Sequence, residues 1–109
     1  MDFKIAKESM VNNQLRPNKI YEKSLLDLFM TIDKELFLPE DIKSIAYIDD
    51  DIYLNESRYY LSNLQIAQLI QNANLKKSDK VLHIGGLSGY VSLILSKMVS
   101  KVFIIEKDK

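Results

Sequence analysis

The chain has no cysteine, two prolines, three glycines and a single histidine among its 109 residues. The absence of cysteine excludes disulfide bonds and thiolate metal ligands. The apolar runs are only a few residues long, and none approaches the length of a membrane-spanning helix. The first residues include Lys4, Lys7 and Glu8 and contain no apolar signal core. We therefore expect a cytoplasmic protein.

An excess of charge of one sign is also lacking, because 15 Lys and Arg residues balance 15 Asp and Glu residues. No lysine cluster alternates with aromatic residues, so the sequence predicts no nucleic-acid-binding surface. His83 has no cysteine partner, and Asp49–Asp51 lacks the glycine and distal glutamate of a calcium loop. We therefore expect no metal site. An apolar fraction of 47% predicts a folded globular chain.

The first half of the sequence has the patterns of helices. The range Asp2–Leu15 is the first predicted helix, and Pro17 predicts its end because the residue before a proline is disfavoured in the α region. The range Tyr21–Ile32 has apolar residues at helical spacing and is the second. Pro39 suits the first turn of a short third helix. The β-like run Ile52–Leu54 follows.

Ser62 and Gln65 have the spacing of a capping box, which predicts a helix that begins directly after Ser62. The expected buried residues of that helix are Ile66, Leu69, Ile70 and Ala73. Just before it, Tyr59 and Tyr60 are adjacent. We expect one of these rings to be buried and the other to lie at the surface.

The second half alternates strand and helix patterns around a glycine loop. The order is a strand at Val81–Ile84, a loop at Gly85–Gly89, a helix at Tyr90–Val99, a strand at Val102–Ile105, and then Glu106. The apolar, β-branched strands are typical of strands buried on both faces. Two strands joined through a helix should be parallel, with a right-handed crossover. The sequence therefore predicts an α/β fold.

The glycine loop has the residue types that a nucleoside cofactor requires. Glycine permits positive φ in a tight turn and lets the backbone approach a ligand, and the helix after the loop offers free N–H groups. Glu106 lies 21 residues after Gly85, near the spacing expected for an acid that accepts hydrogen bonds from ribose hydroxyls. The candidate cofactor residues are therefore Gly85, Gly86, Gly89 and Glu106. A plain structural loop is the alternative.

Taken in order, seven segments resemble the protein-L-isoaspartate O-methyltransferase family: Met10–Arg16, Ile32–Glu40, Ala46–Tyr47, Ile52–Leu54, Ile66–Ala67, Val81–Tyr90 and Val102–Glu106. The resemblance implies a mainly helical substrate-side segment over residues 1–62. It also implies that residues 63–109 form the first β-α-β unit of a Rossmann-like methyltransferase fold, which is truncated here.

The resemblance also implies an activity. Members of this family transfer a methyl group from S-adenosylmethionine to isoaspartyl carboxylates in damaged proteins. The resemblance places His83 among the cofactor-binding residues, with the three glycines and Glu106. It places Leu61 and Ser62 on the substrate side, and isoaspartyl proteins or peptides become the expected partners.

Four positions depart from the family pattern. Leu87 and His83 stand where the family has a glycine and an acid, and Leu61 and Asn63 stand where it has a serine and a proline. Together with the early end of the chain, these departures predict weak binding of S-adenosylmethionine and no methylation by this chain alone. Two strands with open edges also predict self-association.

Two other functions fit parts of the sequence. A non-catalytic remnant or interaction module would explain the short length. A nicotinamide-binding oxidoreductase fragment would share the loop and the acid. The upstream helical segments and the Gly-x-x-x-Gly-Tyr loop favour the methyltransferase.

Overall fold

The computed structural model describes residues 2–54, 56–84 and 89–105. Within these ranges the helices are α1 (Phe3–Met10), α2 (Lys23–Thr31), α3 (Asn63–Ala73) and α4 (Tyr90–Ser96). The strands are β1 (Ile52–Tyr53), β2 (Tyr59–Tyr60), β3 (Lys80–Ile84) and β4 (Lys101–Ile105). None of the described helices is both long enough and apolar enough to cross a bilayer.

Helix α1 begins at the cap residue Asp2, whose carboxylate accepts hydrogen bonds from two backbone N–H groups of the first turn. It continues through a π-helical turn, Val11–Leu15, into a 3-10 turn, Arg16–Asn18. The prediction that the residue before Pro17 leaves the helical region was wrong, because Arg16 has φ −60° and ψ −45°. Pro17 is tolerated because it lies in the first turn of a new 3-10 segment.

The two predicted elements after α1 are present in modified form. Helix α2 lies within the predicted range and buries Leu25 and Phe29. Pro39 precedes a 3-10 segment, Glu40–Ile45, and not an α-helix. A second 3-10 segment, Lys34–Phe37, lies between them.

The predicted start of α3 is confirmed, because the backbone N–H of Gln65 donates to Ser62 Oγ over 3.2 Å. The burial prediction was only half correct. Ile66 and Ile70 are buried, whereas Leu69 and Ala73 are exposed. Only one side of α3 faces the core formed by the described residues. The apolar residues of this helix extend beyond that side, and those outside it stay exposed.

Strands β3 and β4 are parallel, as predicted, and the antiparallel pair β1–β2 forms a separate small hairpin. The prediction that β3 and β4 are buried on both faces was wrong. One face packs on the core through Val81 and Val102. Nothing in the described ranges covers the opposite face, whose exposed side chains are Leu82, Ile84, Phe103 and Ile105.

A shared core joins the helical half to the parallel unit. Tyr90, the first residue of α4, is fully buried. Its ring packs edge-on against Phe29 of α2, with ring centroids 6.3 Å apart, and lies 5.8 Å from the ring of Phe37. The predicted α/β fold, a helical segment followed by one β-α-β unit, is therefore confirmed.

Candidate functional site

The candidate site lies at the carboxyl ends of β3 and β4. The strand register pairs Ile84 with Ile105, so both strands end at the same edge of the sheet. Open α/β sheets bind ligands at this edge. Gly85, Gly86, Leu87 and Glu106 lie outside the described residues.

Gly89, the cap residue that directly precedes α4, has the left-handed conformation that the loop was expected to require. Its φ is +95°, a region that side-chain-bearing residues rarely adopt. A Cβ atom at this position would meet no other atom within 4 Å. The need for glycine therefore comes from the backbone conformation and not from crowding.

A cavity of about 340 Å³ opens beside the end of β3. His83 and Leu61 both line this cavity. The resemblance had placed His83 among the cofactor-binding residues and Leu61 on the substrate side. The exposed Leu69 of α3 and Val91 of α4 contribute to its mainly apolar wall. Ser62 and Gly89 are not among its lining residues. The cavity suits an apolar or aromatic group better than a charged one.

His83 is hydrogen-bonded within the protein. Its Nδ1 lies 2.8 Å from the hydroxyl oxygen of Ser92, which is almost fully buried on α4. This bond orients the imidazole ring at the cavity wall. Sequence reasoning missed Ser92, because a helical serine nine positions after the histidine carries no recognisable signal.

Ser62 is engaged as a helix cap. Its Oγ accepts from Gln65, and its backbone N–H donates to Asp51 Oδ1 over 2.8 Å. Asp51, which the sequence indicated only as part of a polar turn, therefore anchors the start of α3. The adjacent tyrosines behave as predicted, with Tyr60 buried and Tyr59 partly exposed.

Two tyrosines, Tyr47 and Tyr90, are buried in the shared core. The Tyr47 hydroxyl donates to Glu35 Oε1 over 2.5 Å and accepts from the backbone N–H of Lys34 over 2.9 Å. Burial, followed by the hydrogen bond to Glu35, raises the pKa of Tyr47 above its usual value. Burial also raises the pKa of Tyr90. Both tyrosine hydroxyls therefore stay protonated well above pH 7.

The parallel sheet, the crossover helix and the left-handed glycine define an α/β fold of the Rossmann-like kind. The family model for protein-L-isoaspartate(D-aspartate) O-methyltransferase matches residues 5–109. The chain therefore belongs to the protein-L-isoaspartate O-methyltransferase family.

Individual relatives agree with this assignment. The chain is 31% identical to a protein-L-isoaspartate O-methyltransferase of Petrotoga mobilis over 100% of its own length and 51% of the relative's. It is 34% identical to protein-L-isoaspartate O-methyltransferase 2 of Shewanella sediminis, over 95% of its own length and 43% of the relative's. The chain thus spans about half the length of the curated relatives that it matches.

Solved structures share the fold. A protein of this family from Plasmodium falciparum, in complex with S-adenosyl-L-homocysteine, superposes with a TM-score of 0.75 at 19% identity and covers 94% of this chain and 50% of that one. A second protein-L-isoaspartate O-methyltransferase has a TM-score of 0.76 at 24% identity, over 94% of this chain and 34% of its own.

Proposed function

We propose that the chain carries the substrate-side segment and the first part of the S-adenosylmethionine site of an isoaspartyl methyltransferase. The observation that carries the proposal is the parallel β3–α4–β4 unit with Gly89 at φ +95°, in a chain matched by the family model over residues 5–109. Residues 63–109 form the cofactor side in this proposal, and residues 1–62 form the substrate side. The proposed location is the cytoplasm.

Two of the described residues support a cofactor site at this edge of the sheet. The left-handed Gly89 permits the turn from loop to helix, and His83 lies in an apolar cavity beside the strand ends. Gly85 and Gly86 are the proposed close-approach positions, and Glu106 is the proposed acceptor for the ribose hydroxyls. When bound, S-adenosylmethionine supplies an electrophilic methyl group for a carboxylate oxygen. The task of the protein is to position the groups and exclude water.

Cofactor binding can be tested by titrating the ¹⁵N-labelled chain with S-adenosylhomocysteine to millimolar concentration. We expect the amide signals of His83, Gly89 and Tyr90 to shift, with a dissociation constant weaker than about 1 µM. Leu87, where the family has glycine, is the reason for the weak binding. NAD⁺ is the matched control ligand and should move these signals less. Unchanged signals, or larger shifts with NAD⁺, would contradict the proposal.

The substrate side can be tested with a pair of peptides that differ only in one isoaspartyl or aspartyl residue. We expect the isoaspartyl peptide to move the amide signals of Leu61 and Ser62 more than the aspartyl peptide does. Because Leu61 and Asn63 depart from the family pattern, we expect no methyl transfer by this chain alone. Turnover above background that disappears in Glu106→Gln would contradict this expectation.

A second candidate function is that of an interaction module, which the exposed apolar face of the β3–β4 sheet favours. Parallel sheets normally have both faces covered, and their unpaired edges are sites of association. We expect concentration-dependent self-association in light-scattering measurements, and a decrease in Phe103→Lys. Tyr21→Lys is the control, because Tyr21 is also exposed but lies outside the sheet. If the chain is a monomer at every concentration, it does not act as a self-association module.

A further inference from the structure

Lys34 is a fully buried lysine that the proposed reaction does not use. Its relative exposure is 0%, and it lies in the short 3-10 segment Lys34–Phe37. Within the described ranges it forms no ion pair. The neighbouring acids are engaged elsewhere, because Asp33 pairs with Lys7 and Glu35 accepts from Tyr47.

The Lys34 amine is enclosed by one amide and two aromatic rings. Its Nζ donates to Asn63 Oδ1 over 2.7 Å. It also lies 5.2 Å from the ring centroids of both Tyr60 and Tyr90. The ring faces favour the ammonium form, whereas removal from water disfavours it. Burial lowers the pKa of Lys34 to about 7, so desolvation is the stronger effect.

These three contacts belong to the two segments proposed to bind ligands. Asn63 directly follows Ser62 and begins α3, and Asn63 Nδ2 donates to the carbonyl oxygen of Ala46 over 3.1 Å. Tyr60 directly precedes Leu61. Tyr90 directly follows Gly89 and begins α4. One amine thus joins the end of the proposed substrate-side segment and the start of α3 to the end of the glycine loop.

The number of hydrogen bonds available favours one form of the amine. An ammonium has three N–H donors, and within the described residues it finds one oxygen acceptor, on Asn63. The Tyr90 hydroxyl is buried and has no hydrogen-bond partner among those residues. A neutral amine keeps the bond to Asn63 at a lower desolvation cost. Protonation therefore makes burial of this amine more costly and favours any rearrangement that returns it to water.

We propose that Lys34 is a positioning residue whose protonation state sets how firmly the segment Leu61–Ser62 is held against the first turn of α4. The neutral amine holds the two segments together, and the ammonium form separates them. The consequence for ligand binding rests on the proposed function, whereas the protonation of Lys34 and its effect on the two segments do not.

The other titratable groups that face Lys34 come from each element packed around it. They are Tyr60 on β2, Tyr90 on α4, Tyr47 after the Glu40–Ile45 segment, and Glu35 and Asp33 beside Lys34 itself. The raised pKa values of Tyr47 and Tyr90 keep these two hydroxyls neutral through the range of interest. A readout on lysine nitrogen separates Lys34 from the two carboxylates.

The direct test is an NMR titration of the lysine side chains in the ¹³C,¹⁵N-lysine-labelled chain between pH 5.5 and 9.5. We expect one lysine signal to titrate with a midpoint within about one unit of pH 7. That signal should be absent in Lys34→Met and present in Lys23→Met, a control at an exposed position. The Asn63 side-chain amide and the Tyr90 backbone amide should follow the same midpoint. No titrating lysine, or fixed Asn63 and Tyr90 signals, would overturn the proposal.

Asn63→Asp provides a second variant that keeps the side-chain shape. A carboxylate beside Nζ favours the ammonium form, so we expect the titration of Lys34 to move above pH 9. An unchanged midpoint in Asn63→Asp would overturn the proposed contact. This comparison does not depend on whether Lys34→Met folds.

Binding of S-adenosylhomocysteine separates this proposal from the proposed function. If the chain binds this ligand, we expect at least a threefold change in affinity between pH 6 and pH 8.5 in the wild-type chain and in Lys23→Met, and no change in Lys34→Met. A wild-type affinity that does not depend on pH would overturn the positioning role. If nothing binds, the proposed function fails, and the NMR titration alone decides whether Lys34 couples the two segments.

Discussion

Replacement of Lys34 by methionine should stabilise the protein at neutral pH and remove a pH dependence of its stability. The pKa of Lys34 is 10.5 in the unfolded chain and about 7 in the folded chain. Between these values the unfolded chain binds more protons than the folded chain. The free energy of unfolding therefore rises as pH increases through this range, and the full penalty for burying the ammonium is present below pH 7.

The size of the effect follows from the two pKa values. The burial penalty of Lys34 is about 4 kcal/mol at pH 7 and about 2 kcal/mol at pH 9. Lys34→Met removes this penalty but leaves Asn63 Oδ1 without its donor, at a cost of about 1–3 kcal/mol. We therefore expect the variant to be about 2 kcal/mol more stable than the wild-type chain at pH 7, and nearly equal to it at pH 9.

The measurement is urea unfolding followed by circular dichroism at several pH values from 6 to 9. This range lies below the ionisation of tyrosine in the unfolded chain, which would destabilise the fold because the pKa values of Tyr47 and Tyr90 are raised. Lys23→Met is the control and should change stability by less than about 0.5 kcal/mol at every pH. A stability difference between Lys34→Met and wild type that does not vary with pH would contradict a lowered pKa of Lys34 in the folded chain.

Three further changes test individual contacts by urea unfolding. Gly89→Ala should cost about 1–2 kcal/mol through backbone strain alone, and Gly89→Asn should cost less; equal losses would contradict this origin. Ser62→Ala should cost about 1 kcal/mol through the lost cap of α3, and Ser62→Asp should restore most of it. Tyr47→Phe should cost about 1–3 kcal/mol, because the backbone N–H of Lys34 and the Glu35 carboxylate both lose their partner; a neutral result would count against that bridge.

Local patterns were enough to predict the elements around the site. The helix cap at Ser62 and the strand–loop–helix–strand order each depend on residues close together in the chain. The positive φ of Gly89 followed from the same local requirement. The misplaced end of the first helix has a local cause as well, because a π-helical turn before Arg16 lets the chain accept Pro17 inside a 3-10 turn.

Predictions that depended on distant partners were less successful. The apolar character of β3 and β4 predicted burial on both faces, but the described residues cover one face only. In the same way, the apolar pattern of α3 did not reveal that Leu69 is exposed at a cavity wall. Hydrophobicity indicates that a side chain favours burial, but it does not indicate which element will cover that side chain.

Spacing and residue type were enough to predict the order of elements, the parallel pairing of β3 and β4 and the resemblance to the family. Which polar side chains meet depended on the packing of segments that are distant in the chain. Lys34, Asn63 and Tyr90 are far apart in the chain and converge between α3 and α4. His83 and Ser92 are joined across β3 and α4 in the same way. Such contacts depend on how the helices pack. The pKa of Lys34 is lowered only in the folded chain, because this packing is what buries its amine.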